Sequence, residues 1–421
     1  MENPKYTTKS ETDRFFKVFQ NFTKDAEDIK SSSENDATNS NAPVLTMSSL
    51  GQLGRFGNQL FQYAFLRICA NKSGAKVECP PWIGQALFGH NDNPISHRLP
   101  PGVERRYKGE NLFDDIPEFI PYLEKLAGTA SCRVGVESLE NGLINVDLWG
   151  FFQVPTQFLR PDKDYFRTLF QPVSDLKSAL EDGLNLLHSK GKTIIGIHVR
   201  RGDFITVPMA GFTLVVPSKW WLDWLEQIWG ELENPVLFLC SDELDNIIHD
   251  FEKFCPVTSR DLNVKLPERF KDLNIEFYID FFMLSNCDIV GTSNSIFSFV
   301  ACMLNERGKK FVRPHWDFST KFTEFDPWNS EPLLYIGGEG SKLSKSFGEA
   351  MHTAYTTQGI SGAIKCAFIY FPKSLIKKFA IRVYLGYQIQ GFSGVIKSLF
   401  YTFGWRSVWS GCYSQPEDIL R

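Results

Sequence analysis

The sequence predicts an α/β protein of two domains, one of them a Rossmann-like half, and three observations lead there. Residues 193–199, TIIGIHV, make a β-branched apolar run of the kind buried in a parallel sheet. Apolar strands and helical stretches alternate from that run to about residue 312. A length of 421 residues exceeds what one hydrophobic core usually serves.

Residues 1–45 are polar and irregular, with Ser31-Ser32-Ser33-Glu34-Asn35-Asp36 of disorder-type composition, and read as a disordered or partly helical tail. Residues 46–185 form the first domain. Val44 to Met47 is a strand, and Gly51, Gly54 and Gly57 punctuate the turn after it. Leu60, Phe61, Tyr63, Ala64, Leu66 and Ile68 then continue as a helix. Glycines at a helix N-terminus let the backbone approach a ligand where N–H groups point outward. Prolines at 80, 81, 94, 100, 101 and 117 make residues 75–145 loop-rich and hard to divide into elements. Residues 142–149 read as a strand ending in Gly150-Phe151-Phe152-Gln153. Aromatic rings beside a glutamine at a strand end suit the apolar face of a sugar, with core packing as the competing reading. Phe152 and Gln153 are therefore the acceptor-binding candidates. Asp162-Lys163-Asp164 is a DxD triplet, a pattern that can hold a metal–nucleotide. It stands where a helix begins, and acidic residues are favoured in a first turn, so we read no metal site from it.

Residues 190–325 form the second domain. TIIGIHV ends in Arg200, Arg201, Gly202 and Asp203, at the carboxyl end of a strand, where an α/β sheet places its ligand crevice. A guanidinium there grips a phosphate with two parallel hydrogen bonds, and Asp203 holds one arginine in place. Gly202 permits a sharp turn. A helix is expected over 218–229 and a strand over 235–240, closed by Ser241-Asp242-Glu243. Asp280 starts a helix, residues 288–293 form a strand, and Asn294-Ser295 opens the helix that runs to Leu304, again with N–H groups and hydroxyls aimed at an anion.

A formal charge of −4 argues against general nucleic-acid binding. Nine cysteines without a CxxC pair suggest reduced thiols. No window near the N-terminus has the apolar run of a signal peptide or anchor, so a cytoplasmic or peripheral-membrane location is expected and a Golgi one is not. Residues 345–416 read as a basic, aromatic, helical extension. From Ala350 to Pro416 there is no Asp or Glu, against seven Lys or Arg, a composition suited to peripheral contact with an anionic membrane.

Five blocks in order resemble the bacterial-type, inverting α-1,2-fucosyltransferases: GRFGNQLFQYA (54–64), GFFQ (150–153), GIHVRRGDF (196–204), SDE (241–243) and DFFMLSNCDIVGTSNSIFSFVACMLN (280–305). The resemblance runs from about Leu50 to Phe318. It implies two Rossmann-like domains facing across a cleft, the GT-B type, with GDP-β-L-fucose as donor substrate, a galactose-containing glycan as acceptor, no cofactor and no metal. By the same resemblance Arg200 binds the donor diphosphate, Arg201 and Asp203 are its partners in the motif, and His198 orients the loop. Gly57 and Asn58 face the donor from the first domain, and Ser295, Phe297 and Ser298 match the nucleotide-binding helix. The family commonly has paired tryptophans where this chain has Phe299 and Val300. Arg200 and Asp203 are the catalytic candidates. Inversion needs a base at the acceptor hydroxyl, for which Asp147, Asp203, Asp242 and the donor's own phosphate are the candidates. A protein O-fucosyltransferase, sharing the HVR motif, and an inactive membrane-associated scaffold are the alternative readings.

Overall fold

The computed structural model describes residues 42–105, 119–202, 204, 216–314 and 322–334. The N-terminal tail up to residue 41, Asp203 and the 345–416 extension lie outside the described residues.

The first unit runs β1 (Val44–Thr46), α1 (Phe56–Ser73), β2 (Lys76–Glu78), α2 (Ile83–Phe88), β3 (Pro101–Glu104), α3 (Phe119–Ala127), β4 (Cys132–Val134), α4 (Ser138–Asn141), β5 (Val146–Trp149), α5 (Lys163–Leu169) and α6 (Ser174–Ser189). Its five strands are parallel, in the order β2-β1-β5-β3-β4. The second unit runs β6 (Thr193–Val199), α7 (Ser218–Ile228), β7 (Pro235–Ser241), α8 (Leu244–Ile247), short 3₁₀ turns, α9 (Phe277–Leu284), β8 (Ile289–Thr292), α10 (Ile296–Leu304), β9 (Lys310–Pro314) and β10 (Phe322–Glu324). Its sheet is ordered β10-β9-β8-β6-β7, parallel except for the β9–β10 edge pair. Two Rossmann-like α/β units are thus present, as the sequence predicts.

Helix α1 joins them. Apolar side chains surround it, and such a helix must be covered on every side. Leu60, Phe61, Tyr63, Ala64, Phe65, Leu66 and Ile68 are all buried. Its first residue, Phe56, meets Phe277 and Phe281 of α9 with ring centroids at 5.0 and 5.1 Å. One turn later Phe61 meets Phe299 of α10 at 6.5 Å. One apolar core therefore spans both units. Phe299 and Val300, where the resembling family has tryptophans, belong to that core, at 2% and 0% exposure. The change is one of packing.

Among the described residues, 75–145 hold three strands and three helices that the sequence reading leaves undivided, each short and bounded by proline or loop. Pro101 itself begins β3, a place where the missing N–H is tolerated. The strand expected over 142–149 starts only at Val146, because Gly142 and Asn145 take left-handed φ values of 72° and 55°.

Candidate active site

Register assembles the centre of the site. β6 lies between β7 and β8, with Val199 opposite Ser241 and His198 opposite Thr292. The residues that follow, Arg200, Asp242 and Ser293, therefore emerge side by side at the carboxyl end of the sheet. The Arg200 guanidinium is ion-paired with Asp242, and the Arg200 backbone N–H donates to Ser293 Oγ at 2.8 Å. Ser293 Oγ in turn donates to the His198 carbonyl at 2.8 Å. Asp242 also accepts the Arg201 backbone N–H at 2.8 Å, and Glu243 pairs with the Arg201 guanidinium at 3.4 Å. Both arginines thus have partners in the SDE block. The Arg200 guanidinium lies 5.2 Å from the Phe204 ring centroid. The residue is 8% exposed, so its charge is aimed before any ligand arrives.

Gly202 serves the ion pair through its missing side chain. Its φ lies outside the left-handed region, and a Cβ there would fall 2.3 Å from Asp242 Oδ2. The missing side chain makes room for the carboxylate that holds Arg200.

His198 points under this cluster. It is buried, its Nδ1 is 2.9 Å from Ser298 Oγ, and its ring lies 5.2 Å from that of Phe297. Burial, with a smaller push from Arg200, lowers its pKa to about 3, so the ring is neutral at physiological pH. Ser298 is fully buried and spends its hydroxyl on His198 and the Ser295 carbonyl. The expectation that Ser298 meets the donor is corrected: it positions β6 against α10. Ser295 is the N-cap residue of α10, and Phe297 lies half-buried in its first turn.

The first unit delivers its motif to the same place. Gly51 and Gly54 adopt φ values of 82° and 74°, which side chains disfavour, and so shape the turn into α1. A Cβ on Gly57 would sit 2.7 Å from the Phe297 backbone nitrogen. The N-termini of α1 and α10 are therefore in direct contact, and α10 is capped by Ser295, two residues after the Ser293 that binds Arg200, so the positive ends of both dipoles fall on that side. Asn58, one residue on, accepts a 2.6 Å hydrogen bond from Gln153 Nε2.

Phe152 is a second correction. Its ring is 1% exposed and stacks on Phe65 at 4.3 Å, in the core and away from any sugar face. Its φ of 51° is costly for an aromatic residue; ring burial below and the Gln153–Asn58 bond above hold it.

Among the base candidates, Asp147 is buried and receives hydrogen bonds from Thr46 Oγ1, the Ser48 N–H and Trp149 Nε1 at 2.7, 2.9 and 2.7 Å. It ties β1 to β5 and is closed to an acceptor hydroxyl, although burial raises its pKa. Asp242 is engaged by both arginines. In the DxD triplet Asp162 pairs with Lys72 at 2.7 Å and Asp164 lies in the first turn of α5. No group of three or more His, Cys, Asp or Glu able to hold a metal is present among the described residues. Ser293 was not singled out by sequence reasoning; its signal is the polar run Thr292–Ser295 after an apolar strand.

Comparison with known proteins adds a family. The profile described as Glycosyl transferase family 11 matches residues 37–324. Among solved structures, the NodZ alpha-1,6-fucosyltransferase soaked with GDP-fucose is 16% identical, covering 68% of this chain and 99% of its own, with a TM-score of 0.41; a second NodZ structure is from Bradyrhizobium. A variant of Arabidopsis thaliana FUT1 in complex with GDP is 13% identical, covering 70% and 74%, with a TM-score of 0.35. No curated protein gave a significant match.

Proposed function

The chain belongs to glycosyl transferase family 11, and from that membership we propose that it moves L-fucose from GDP-β-L-fucose to the 2-hydroxyl of a terminal β-galactoside, with inversion and without a metal ion. The observation that carries the proposal is Arg200, oriented by Asp242 and Ser293 where the N-termini of α1 and α10 meet. As the bond between the fucose anomeric carbon and the β-phosphate oxygen breaks, negative charge gathers on the departing GDP. A fixed guanidinium and two helix N-termini favour that charge more in the transition state than in the ground state. The acceptor oxygen forms the new bond from the opposite face and releases its proton to Asp203 or to the departing phosphate. Asn58 and Gly57 close over the donor from the first unit, Arg201 and Phe297 complete its pocket, and Gln153 stands on the acceptor side. The 2-hydroxyl preference rests on the five sequence blocks. Incubation with labelled GDP-fucose, EDTA and a panel of β-galactosides tests the proposal. Label is expected in an α-1,2-linked fucoside; transfer only after Mn²⁺ or Mg²⁺ is restored, or a different linkage, would overturn that part.

We also propose that the acid-free segment 350–416 brings the enzyme, from the cytoplasm, to anionic membrane surfaces. Each of its seven cations contributes up to about 1 kcal/mol near such a surface. Salt-sensitive sedimentation with anionic liposomes, lost in a chain ending near Gly348, is the expected result.

A further inference from the structure

A trench runs along the open edge of the first sheet. β2 is the edge strand, and among the described residues its outer side carries only an isolated bridge from Glu78 to Asn93, where the Cys79 N–H donates to the Asn93 carbonyl at 3.0 Å. Beside the start of β2 lies a groove of about 500 Å³, and beside its end a second of about 210 Å³. The two adjoin, with Asn91 and Asp92 in both linings. The trench is lined from Gly74, the left-handed cap of α1, through Lys76 and Val77 of β2 to Cys79 and Pro81. Its upper end touches the glycine-rich turn: a Cβ on Gly51 would lie 3.2 Å from Trp82 Cβ and 3.7 Å from the Pro81 carbonyl. The trench therefore leads toward the turn that presents Gly57 and Asn58.

Its lining has the chemistry of a sugar site. Asn71, Asn91 and Asn93 offer planar amides, each able to donate and accept. Tyr165 offers a ring, and Ala70 and Val77 offer small apolar patches. The wall behind is rigid. Asp92, with a side chain only 5% exposed, accepts the Tyr63 hydroxyl and the Arg67 guanidinium, both at 2.7 Å. Arg67 Nε is buried with no hydrogen-bond partner among the described residues. Arg67 is paired with Asp92, which leaves Lys76 as a single exposed cation beside three amides, and the polar rim disfavours a flat apolar ligand. A neutral chain of hydroxyls meets every one of these groups.

Resting on the transfer reading above, we propose that this trench holds the distal units of an oligosaccharide acceptor, whose galactose end reaches the catalytic turn. The acceptor class is then an extended neutral glycan, and a disaccharide fills only part of the site.

Calorimetric titration of the full chain, loaded with GDP, compares a galactose-terminated neutral hexasaccharide with its terminal disaccharide. The hexasaccharide is expected to bind at least about tenfold more tightly. Asn93→Trp and, separately, Asn71→Trp place bulk in the trench at exposed positions, and each is expected to bring the two ligands within about threefold while leaving GDP affinity unchanged. Equal binding of both ligands by the wild type, or retained preference in both folded variants, would overturn the trench. Binding needs no turnover, so length-dependent binding without fucose transfer would support the trench and sink the transfer reading instead. Transfer without length dependence would do the reverse.

Discussion

Gln153 donates a 2.6 Å hydrogen bond to Asn58 across 95 residues of chain, joining the GFFQ block to the glycine-rich turn. It occupies the Asn58 carbonyl, while the Asn58 NH₂ lies against Gly54, 2.2 Å from where a Cβ there would stand. Gln153→Ala releases that amide. A neutral hydrogen bond contributes about 0.5–1.5 kcal/mol, so donor affinity should fall by up to about tenfold with little change in thermal stability. Fluorescence titration with GDP-fucose reads the change; unchanged affinity would detach Gln153 from donor binding.

Asp242 makes Arg200 a fixed group. Arg200→Ala should lower turnover at least about a hundredfold, the scale of losing one transition-state charge contact. Arg200→Lys should recover little, since an ammonium cannot keep both the Asp242 contact and a bidentate hold on phosphate. Asp242→Asn should leave the arginine charged but badly aimed, lowering kcat more than it raises KM for GDP-fucose. Steady-state kinetics of folded variants decide this, and a normal kcat for Asp242→Asn would remove it as a positioning residue.

Much of this centre was legible, and the limits have physical causes. TIIGIHV followed by two arginines marks a buried strand ending at a crevice from local residues alone. Which carboxylate holds Arg200 is a matter of register between β6 and β7, 42 residues apart, and local sequence does not carry it. Gly202 could be flagged as special, yet its reason lies in the approach of Asp242 from another strand. Phe152 and Gln153 are neighbours with opposite fates, and only the left-handed φ at Phe152, invisible in composition, sends one ring to the core and the next side chain to Asn58. The first unit's strands of three or four residues were lost among prolines because so few residues show no period.

Gly57 separates two competing effects. In an isolated helix, alanine is preferred over glycine by about 1 kcal/mol. Here a Cβ would lie 2.7 Å from Phe297 N, 2.8 Å from Ile296 C and 2.9 Å from Phe297 Cα. All three are backbone atoms, which cannot swing aside, so overpacking at about 1–3 kcal/mol should win. Gly57→Ala should lower both the melting temperature and the affinity for GDP. A higher melting temperature with normal GDP binding would mean that α1 and α10 are less closely joined.

Asp280 supplies a pH signature opposite to that of a paired carboxylate. It lies in α9, and its Oδ1 is buried with no hydrogen-bond partner among the described residues. Burial raises its pKa to about 6, against lowering contributions from Ser259 and Arg260. Between its unfolded value of about 3.9 and that folded value, the native state binds more protons than the unfolded one. Stability contributed at this site therefore falls as pH rises from about 4 to about 6 and is level above. A shift near two units corresponds to about 2–3 kcal/mol. His198 works the other way: its folded pKa of about 3 lies below the ordinary value, so its contribution is lost as pH falls below about 6.5. The two overlap, and only a difference between proteins isolates Asp280. Urea unfolding of wild type and Asp280→Asn at pH 4, 5, 6 and 8 provides it. The variant's advantage should grow from pH 4 to pH 6 and then stay constant. A difference independent of pH would show that Asp280 has the same pKa in the native and unfolded states.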